Sequence, residues 1–352
     1  MPTPAVTQHQ VAREINVSRS TVAKVLSADP EARISEGVRK LVLETAARMG
    51  YRPNRSAQLL RNGKSGLVGI INLGPARDLP RRKLQAVAET ILKHRYEPLA
   101  QEALWFGELG GDAGELACQR MIDARVEGVV LVDASRLFEQ RFLDQLLKAG
   151  IPVVVIAGTH LRGIPRFESD REWGYETMTN HVLSLGHRHL VLFSPSKSNS
   201  ATGFRRACKA WPKKCRAEVR PVPKQVRGAH RDAVPYLPGK LVMEEIIAEG
   251  ALPDVVLCNN DELALGVMTA CSQAGIRIPG EMAVTGFDNQ PAAEFGVVPV
   301  TTLRHPVEQL AEAAVACLVE MMKTGKSPTD RMTRIRGELI VRHSCGAALK
   351  KN

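Results

Sequence analysis

Arg19, Ser20 and Lys24 fall within one six-residue stretch of "VSRSTVAKVLS", and all three bring hydrogen-bond donors. Arg and Lys donate well to guanine edges, and a serine hydroxyl serves either a base or a phosphate. Ser35 and Arg39, a little further on, suit phosphates, which fix register without reading sequence. The chemistry these residue types support is nucleic-acid recognition. Catalytic patterns do not compete with it. The chain holds no G-x-S-x-G elbow, no P-loop and no G-x-G-x-x-G in the right context. His187 and His189 in "GHRHL" are two residues apart, the wrong spacing for a helical metal pair. The seven Cys include no C-x-x-C pair and read as reduced thiols. The expectation is a protein that is not an enzyme, with no cofactor and no metal.

Those donors need a rigid platform, and the surrounding residues predict one. Thr7 is a plausible N-cap for a first helix whose Val11, Ala12 and Ile15 share a face. Asn16 tolerates the left-handed backbone that stops this helix. Val17 packs inward, and Ser18 caps a second helix with Val22, Val25 and Leu26 facing back and Arg19, Ser20, Ala23 and Lys24 facing out. Two helices joined by so short a turn, with small Ala12 at the crossing, describe a helix-turn-helix. A third helix over "EGVRKLVLETAARM" is predicted, capped by Ser35, apolar along Val38, Leu41, Val42, Ala46 and Met49, and ended by Gly50.

Charge agrees with a polyanionic partner. Net charge is +11, and it is concentrated: residues 1–65 carry eleven Lys/Arg against five Asp/Glu, and residues 205–231 carry ten against one. Clustered cations favour nucleic acid through counterion release; for 205–231 a solvated face explains the charge equally well. No apolar run reaches the ~18 residues that a membrane span needs. The start, "MPTPAVTQHQ", lacks a secretory pattern, so a cytoplasmic location and no membrane partner are expected.

From Leu67 onward short apolar runs alternate with helical patterns. Strands are predicted at "LVGIINL", "YEPLAQ", "EGVVLVD", "PVVVIA", "HLVLFS", "DVVLCN" and "MAVTGF", with amphipathic stretches at 83–94, 114–124, 138–149, 174–186 and 306–323. This alternation predicts parallel sheets covered by helices. Residues 212–239, rich in Pro and basic side chains, are the least regular.

"VAREINVSRSTVAKVLS", "SEGVRKLVLETAARMGYRPN" and "RSAQLLRNGKSGLVGII" together resemble the lac repressor/gal repressor family of bacterial transcription regulators. The likeness continues through "GIPVVVIAG", "LSLGHRHLVLF", "CNNDELALGVM", "IPGEMAVTGFDN", "VTTLRHPVEQLAEAA" and "GELIVRHS", in order over nearly the full length. It implies an all-α helix-turn-helix domain at 1–54, a hinge helix and linker at 55–65, and an α/β two-lobed periplasmic-binding-protein-like domain at 66–352 that binds an effector and dimerises. Lobe one would take about 66–158 and 292–322, and lobe two about 163–289 and 327–345. The lobe crossings would fall near 158–163, 289–292 and 322–327.

The resemblance also implies roles. DNA would be met by Thr7, Ser18, Arg19, Ser20, Thr21, Lys24, Ser35, Arg39, Tyr51, Asn54, Arg55, Ala57 and Leu60. Asn54 would cap the hinge helix, and Leu60 would wedge between base pairs in the minor groove, offsetting an unstacking cost of a few kcal/mol. Read alone, so short a helix cannot persist in water, so it would fold on DNA. In the cleft, Asn260 and Asp288 would bind effector hydroxyls, with His305 lining the site. Three positions depart from the family pattern: Ser200 stands where an arginine is common, Ala157 replaces an acid, and "ARDLPRRK" replaces an Asn-Pro-Phe-Phe stretch. Arg81, Arg82 or Lys83 could meet a charged ligand, although a solvated helix start is the favoured reading.

The function expected is a sequence-specific transcriptional regulator, a repressor, acting as a homodimer on pseudo-palindromic double-stranded operator DNA. A sugar or sugar-derived effector in the cleft would modulate it. The alternatives are a regulator with a degenerate cleft and no sugar effector, and a soluble solute-binding protein. The tail "GAALKKN" shows no heptads that would support a coiled-coil tetramer.

Overall fold

The computed structural model describes residues 6–26, 32–51, 64–72, 77–102, 112–134, 138–157, 161–223, 235–328 and 331–347. The chain divides into two compact units, Met1–Ser65 and Gly66–Asn352.

In the first unit, α1 (Gln8–Glu14), α2 (Arg19–Leu26) and α3 (Glu36–Arg48) close on a small core of Val11, Ala12, Val22, Val25, Val42 and Ala46. The third helix departs from its expected stripe in one place. Leu41 is 45% exposed, and Thr45 is buried instead. Thr45 lies three residues past Val42 on the inward face, whereas Leu41, one residue before Val42, is turned about 100° away from it.

The second unit contains two fully parallel sheets. One is built from β1 (Leu67–Asn72), β2 (Glu97–Glu102), β3 (Gly128–Val132), β4 (Val153–Ile156), β5 (Arg166–Ser169) and β11 (Met332–Ile335), in the order β11-β5-β4-β3-β1-β2. Helices α4 (Asp78–Lys93) and α12 (Val307–Thr324) cover one face, and α5 (Asp112–Asp123) and α6 (Gln140–Lys148) the other. The second sheet has the order β7-β6-β8-β9, from β6 (His189–Phe193), β7 (Arg216–Arg220), β8 (Val255–Cys258) and β9 (Ala283–Thr285). Strand residues alternate between its faces. Leu190, Leu192, Val255 and Leu257 meet α7 (Arg171–Ser184) and α8 (Asn199–Ala210), while Val191, Phe193, Val256 and Cys258 meet α9 (Leu237–Ala248) and α10 (Asp261–Gln273). Burial on both sides is why the central strands read as unbroken apolar runs.

The short helix α11 (Pro291–Glu294) packs on lobe two through Ala293, and β10 (Thr302–Arg304) pairs antiparallel with β12 (Glu338–Ile340). The chain passes between lobes at Asp170, at 305–306 and at 336–337. The crossings expected at 158–163, 289–292 and 322–327 are therefore each displaced toward the C-terminus. The reason is physical: β5 ("RFES") and β11 ("MTRI") are short and interleave polar with apolar residues, so they carry no apolar run, yet they extend the first sheet. Lobe one consequently includes 166–169 and 332–335, and lobe two keeps α11 and β10. These passages touch: Asp170 donates its N–H to Ile335 C=O at 2.8 Å, and a Cβ at Gly337 would lie 2.1 Å from Arg304 O.

Candidate functional site

The first unit builds an outward-facing donor surface on a locked helix pair. Thr7 and Gln10 form a reciprocal capping box, with Gln10 N–H donating to Thr7 Oγ1 at 3.3 Å and Thr7 N–H to Gln10 Oε1 at 2.8 Å. Asn16 takes φ +51°, and Val17 N–H returns to Ala12 C=O at 3.0 Å, which turns the chain tightly between α1 and α2. Ser18 Oγ accepts from Thr21 N–H at 3.0 Å and lies 2.9 Å from Thr21 Oγ1, so the two side chains brace the start of α2. With Val22 and Val25 buried behind, Arg19, Ser20 and Lys24 are exposed together on the opposite face.

Ser35 occupies the N-cap position of α3 but makes no side-chain capping bond, contrary to the sequence expectation; it is exposed, and Arg39 is half-buried. Gly50 at φ +68° lets Tyr51 N–H reach Ala46 C=O at 2.9 Å, a Schellman closure that seats the Tyr51 ring partly against the core. Asn54, Arg55, Ala57 and Leu60 lie outside the described residues.

In the second unit the start of α4 reaches across to lobe two. Arg77 NH1 lies 3.3 Å from Glu262 Oε2, and Arg82 NH1 donates to the carbonyls of Asp288 and Asn289 at 3.4 and 3.2 Å. Lys83, only 4% exposed, donates to Asp133 Oδ1 at 2.6 Å. Arg81 alone of this group stays exposed, paired at 3.3 Å with Asp78. The favoured reading of a solvated helix start therefore fails for Arg82 and Lys83, because the first turn of α4 sits at the junction of the lobes.

Facing it is a fixed guanidinium. Arg171, the first residue of α7, donates from NH2 to Asn259 O and from Nε to Ser200 Oγ at 3.4 Å, and it lies 4.0 Å above the centre of the Phe287 ring. Its NH1 is 3.9 Å from Asp288 Oδ1. Asp288 and Asn289 both have positive φ, +105° and +51°, a costly pair of consecutive non-glycine turns. Buried Asp261 holds that turn, accepting from Gln290 N–H at 2.7 Å and from Thr302 Oγ1 at 2.6 Å. Burial pushes the Asp288 carboxyl up to about 7 against the pull of Arg171 and Lys83, and burial with the Asp288 charge pushes Asp261 to about 8. Burial, with Lys83, Arg171 and Arg82 nearby, holds His305 well below the ordinary imidazole range and so keeps it neutral.

The expected effector residues thus have unequal situations. Asp288 and His305 converge around Lys83, with His305 on the 305–306 crossing itself. Asn260 is the N-cap of α10, its Oδ1 accepting from Leu263 N–H at 2.8 Å. Ser200 is buried and donates to Asn259 Oδ1 at 2.9 Å. Arg171 and Asn259 were missed in the sequence, as was Glu168, buried at the end of β5. The only local signal for Arg171 is the "SDRE" run that opens α7, and Glu168 stands just before that run, whereas Asn259 adjoins Asn260 in "CNND". Arg171 brings a guanidinium to the side of Ser200, where the family pattern has an arginine. Among the described residues no group of three His, Cys, Asp or Glu could hold a metal ion, and no helix is long and apolar enough to cross a membrane.

Comparison with known proteins agrees with both halves. Residues 7–54 match the model of bacterial regulatory proteins, lacI family, and residues 179–345 match the periplasmic binding protein-like domain. The chain is 27% identical over 354 residues to the HTH-type transcriptional regulator reg1 of Streptomyces lividans, covering 96% of each. It is 24% identical over 320 residues to catabolite control protein A of Priestia megaterium, covering 90% of this chain and 92% of that one. The lactose operon repressor of Escherichia coli (strain K12) is also 24% identical, over 90% of this chain and 84% of its own. Among solved structures, the lac repressor dimer bound to operator and an anti-inducer matches 97% of this chain and 99% of its own, with a TM-score of 0.74 at 21% identity. The CelR–cellobiose complex matches 96% and 99% with a TM-score of 0.65 at 20% identity. These two likenesses concern the fold. The chain thus carries a DNA-binding domain of the kind found in bacterial regulatory proteins, lacI family, followed by a periplasmic binding protein-like domain, and it aligns with transcriptional regulators along at least 90% of its length.

Proposed function

We propose that this protein is a sequence-specific transcriptional regulator, a repressor, that binds operator DNA as a homodimer and changes its affinity when a small molecule occupies the interlobe site. One observation carries the reading. Arg19, Ser20 and Lys24 stand exposed on one face of a helix whose other face is locked into a core through Val22 and Val25. That arrangement suits presentation to a major groove. The same chain carries a two-lobed unit whose junction gathers buried, ionisable side chains, the kind of place where ligands of parallel α/β sheets bind. Coupling between two such sites is typically about 1–3 kcal/mol.

A single helix-turn-helix reads few base pairs, so a two-fold dimer is the working state. Phe295 and Val297, 83% and 104% exposed on lobe two, support an apolar contact with a second copy. Sedimentation at micromolar concentration checks this; a monomer with and without DNA overturns it. Selection of bound duplexes from a random pool tests the main reading. Enrichment of a pseudo-palindrome with a central C-G step is expected. Absence of any enriched sequence rejects the regulator and favours a plain solute-binding protein.

A further inference from the structure

Three buried carboxylate oxygens at the lobe junction lack a hydrogen-bond donor. Around Lys83 gather Asp133 from the end of β3, Glu168 from the end of β5, and Asp288 and His305 from lobe two. Asp133 Oδ2, Glu168 Oε1 and Asp288 Oδ1 are buried acceptors without a hydrogen-bond partner; His305 Nδ1, donor or acceptor by tautomer, and the hydroxyl of Ser169 are unmatched as well. Such atoms are costly to leave unmatched. The cations beside them are engaged elsewhere: Arg77 on Glu262, Arg82 on two backbone carbonyls, Lys83 on Asp133 Oδ1, and Arg171 on Asn259 and Ser200. Arg171 NH1 stops 3.9 Å from Asp288 Oδ1, beyond hydrogen-bond length. Arg166 and Arg334 act on Glu168 through charge, yet no hydrogen bond closes its Oε1.

The chemistry of the missing partner follows by elimination. A phosphorylated sugar or a sugar acid would add acceptors where the buried carboxylate oxygens lack donors, although its charge would meet Lys83, Arg82 and Arg171 as well as the carboxylates. A neutral polyol brings donors, but each hydroxyl also brings lone pairs and no charge. An ammonium brings three donors and no acceptor. Burial raises Glu168 and Asp288 despite the neighbouring cations, so both carboxylates gain from hydrogen-bond donors brought by a bound group.

We propose that this site takes a small hydroxylated amine, an amino sugar or amino alcohol in its ammonium form, whose N–H and O–H donors complete the shells of Asp133, Glu168 and Asp288. The inference rests on the reading of the interlobe junction as the effector site.

Titration calorimetry on the full chain tests it, with glucosamine, galactosamine, mannosamine and glucamine each run beside its hydroxyl parent, together with gluconate and glucose-6-phosphate. At least one amine should bind about tenfold or more tightly than its parent, the usual scale for a charged hydrogen bond. Asp288→Asn and Glu168→Gln should each remove most of that preference; if one fails to fold, the other variant and the wild-type panel still decide. Equal binding of amine and parent, tighter binding of gluconate or glucose-6-phosphate than of every amine, or no amine binding at all overturns the proposal. Duplex selection on the same preparation separates the two failures. An enriched operator without amine preference removes this inference alone, whereas no enriched operator removes the regulatory reading.

Discussion

Lys83 Nζ lies 2.6 Å from Asp133 Oδ1, an ion pair that joins the start of α4 to the end of β3 with the lysine side chain only 5% exposed. A buried pair of this kind adds little net stability, but removing one partner strands the other. Lys83→Met should therefore destabilise the second unit by about 3–5 kcal/mol. The double variant Lys83→Met/Asp133→Asn, which keeps a residue that tolerates the φ of +48° at position 133, should recover part of that loss. Denaturant midpoints compared across the cycle check it; a double variant less stable than Lys83→Met contradicts the stranded-charge account.

Gly337 tests the crossings. A Cβ there would meet Arg304 O at 2.1 Å and the Leu303 side chain at 2.7 Å, where two passages between lobes run side by side. Gly337→Ala should force them apart, costing ~1–3 kcal/mol as overpacking does. Because the strain falls on the crossings and not on the core of either sheet, its larger effect should be on effector response. The measurement is operator affinity with and without effector. An unchanged ratio between the two, with the stability loss present, would assign Gly337 to packing only.

How much of this was readable beforehand depended on burial symmetry. Strands buried on both faces, such as "GVVLV" and "HLVLF", declare themselves as apolar runs, and the helix-turn-helix declares itself through caps and an inward stripe. Edge and peripheral strands such as β5, β7 and β11 mix charge with apolar residues and leave no apolar run, which is also why the sequence places the lobe crossings too early. Lys83 was readable in principle: it begins the inward set Lys83, Val87, Thr90 and Ile91, a charge placed on a core stripe. Arg171 was not, because its role depends on Asn259 and Phe287, about ninety residues or more away in sequence, meeting it only in the fold.

Leu60 falls outside the described residues, and the prediction there comes from sequence. An apolar wedge matters only on DNA that it kinks, whereas phosphate contacts act on any duplex. Leu60→Ser should leave the melting of both units unchanged. Operator binding should weaken by about tenfold or more, the loss expected when a wedge no longer offsets a few kcal/mol of unstacking. Binding to random duplex should change little. Equal losses on both would make residues 52–63 a tether.

Acidity gives the last prediction. Burial raises the folded-state values of Asp288, to about 7, and Asp261, to about 8, above the ~3.9 of an unfolded aspartate. A raised carboxyl binds its proton more tightly in the folded state, so its stabilising effect is complete at low pH and is lost as pH rises through the folded value. His305 acts oppositely, since its depressed value weakens the fold as pH falls below the ordinary imidazole range. Two rising carboxyls outweigh one imidazole, and Glu168 and Glu262 are raised as well. The second unit should therefore lose stability between about pH 5 and pH 8, most steeply near neutrality, where the imidazole no longer opposes the trend. Asp288→Asn removes one contributor, so it should be comparatively more stable at the alkaline end and flatten the profile. Melting temperatures of both proteins across this range decide the matter, and parallel curves would mean that Asp288 keeps its charge in the folded protein throughout.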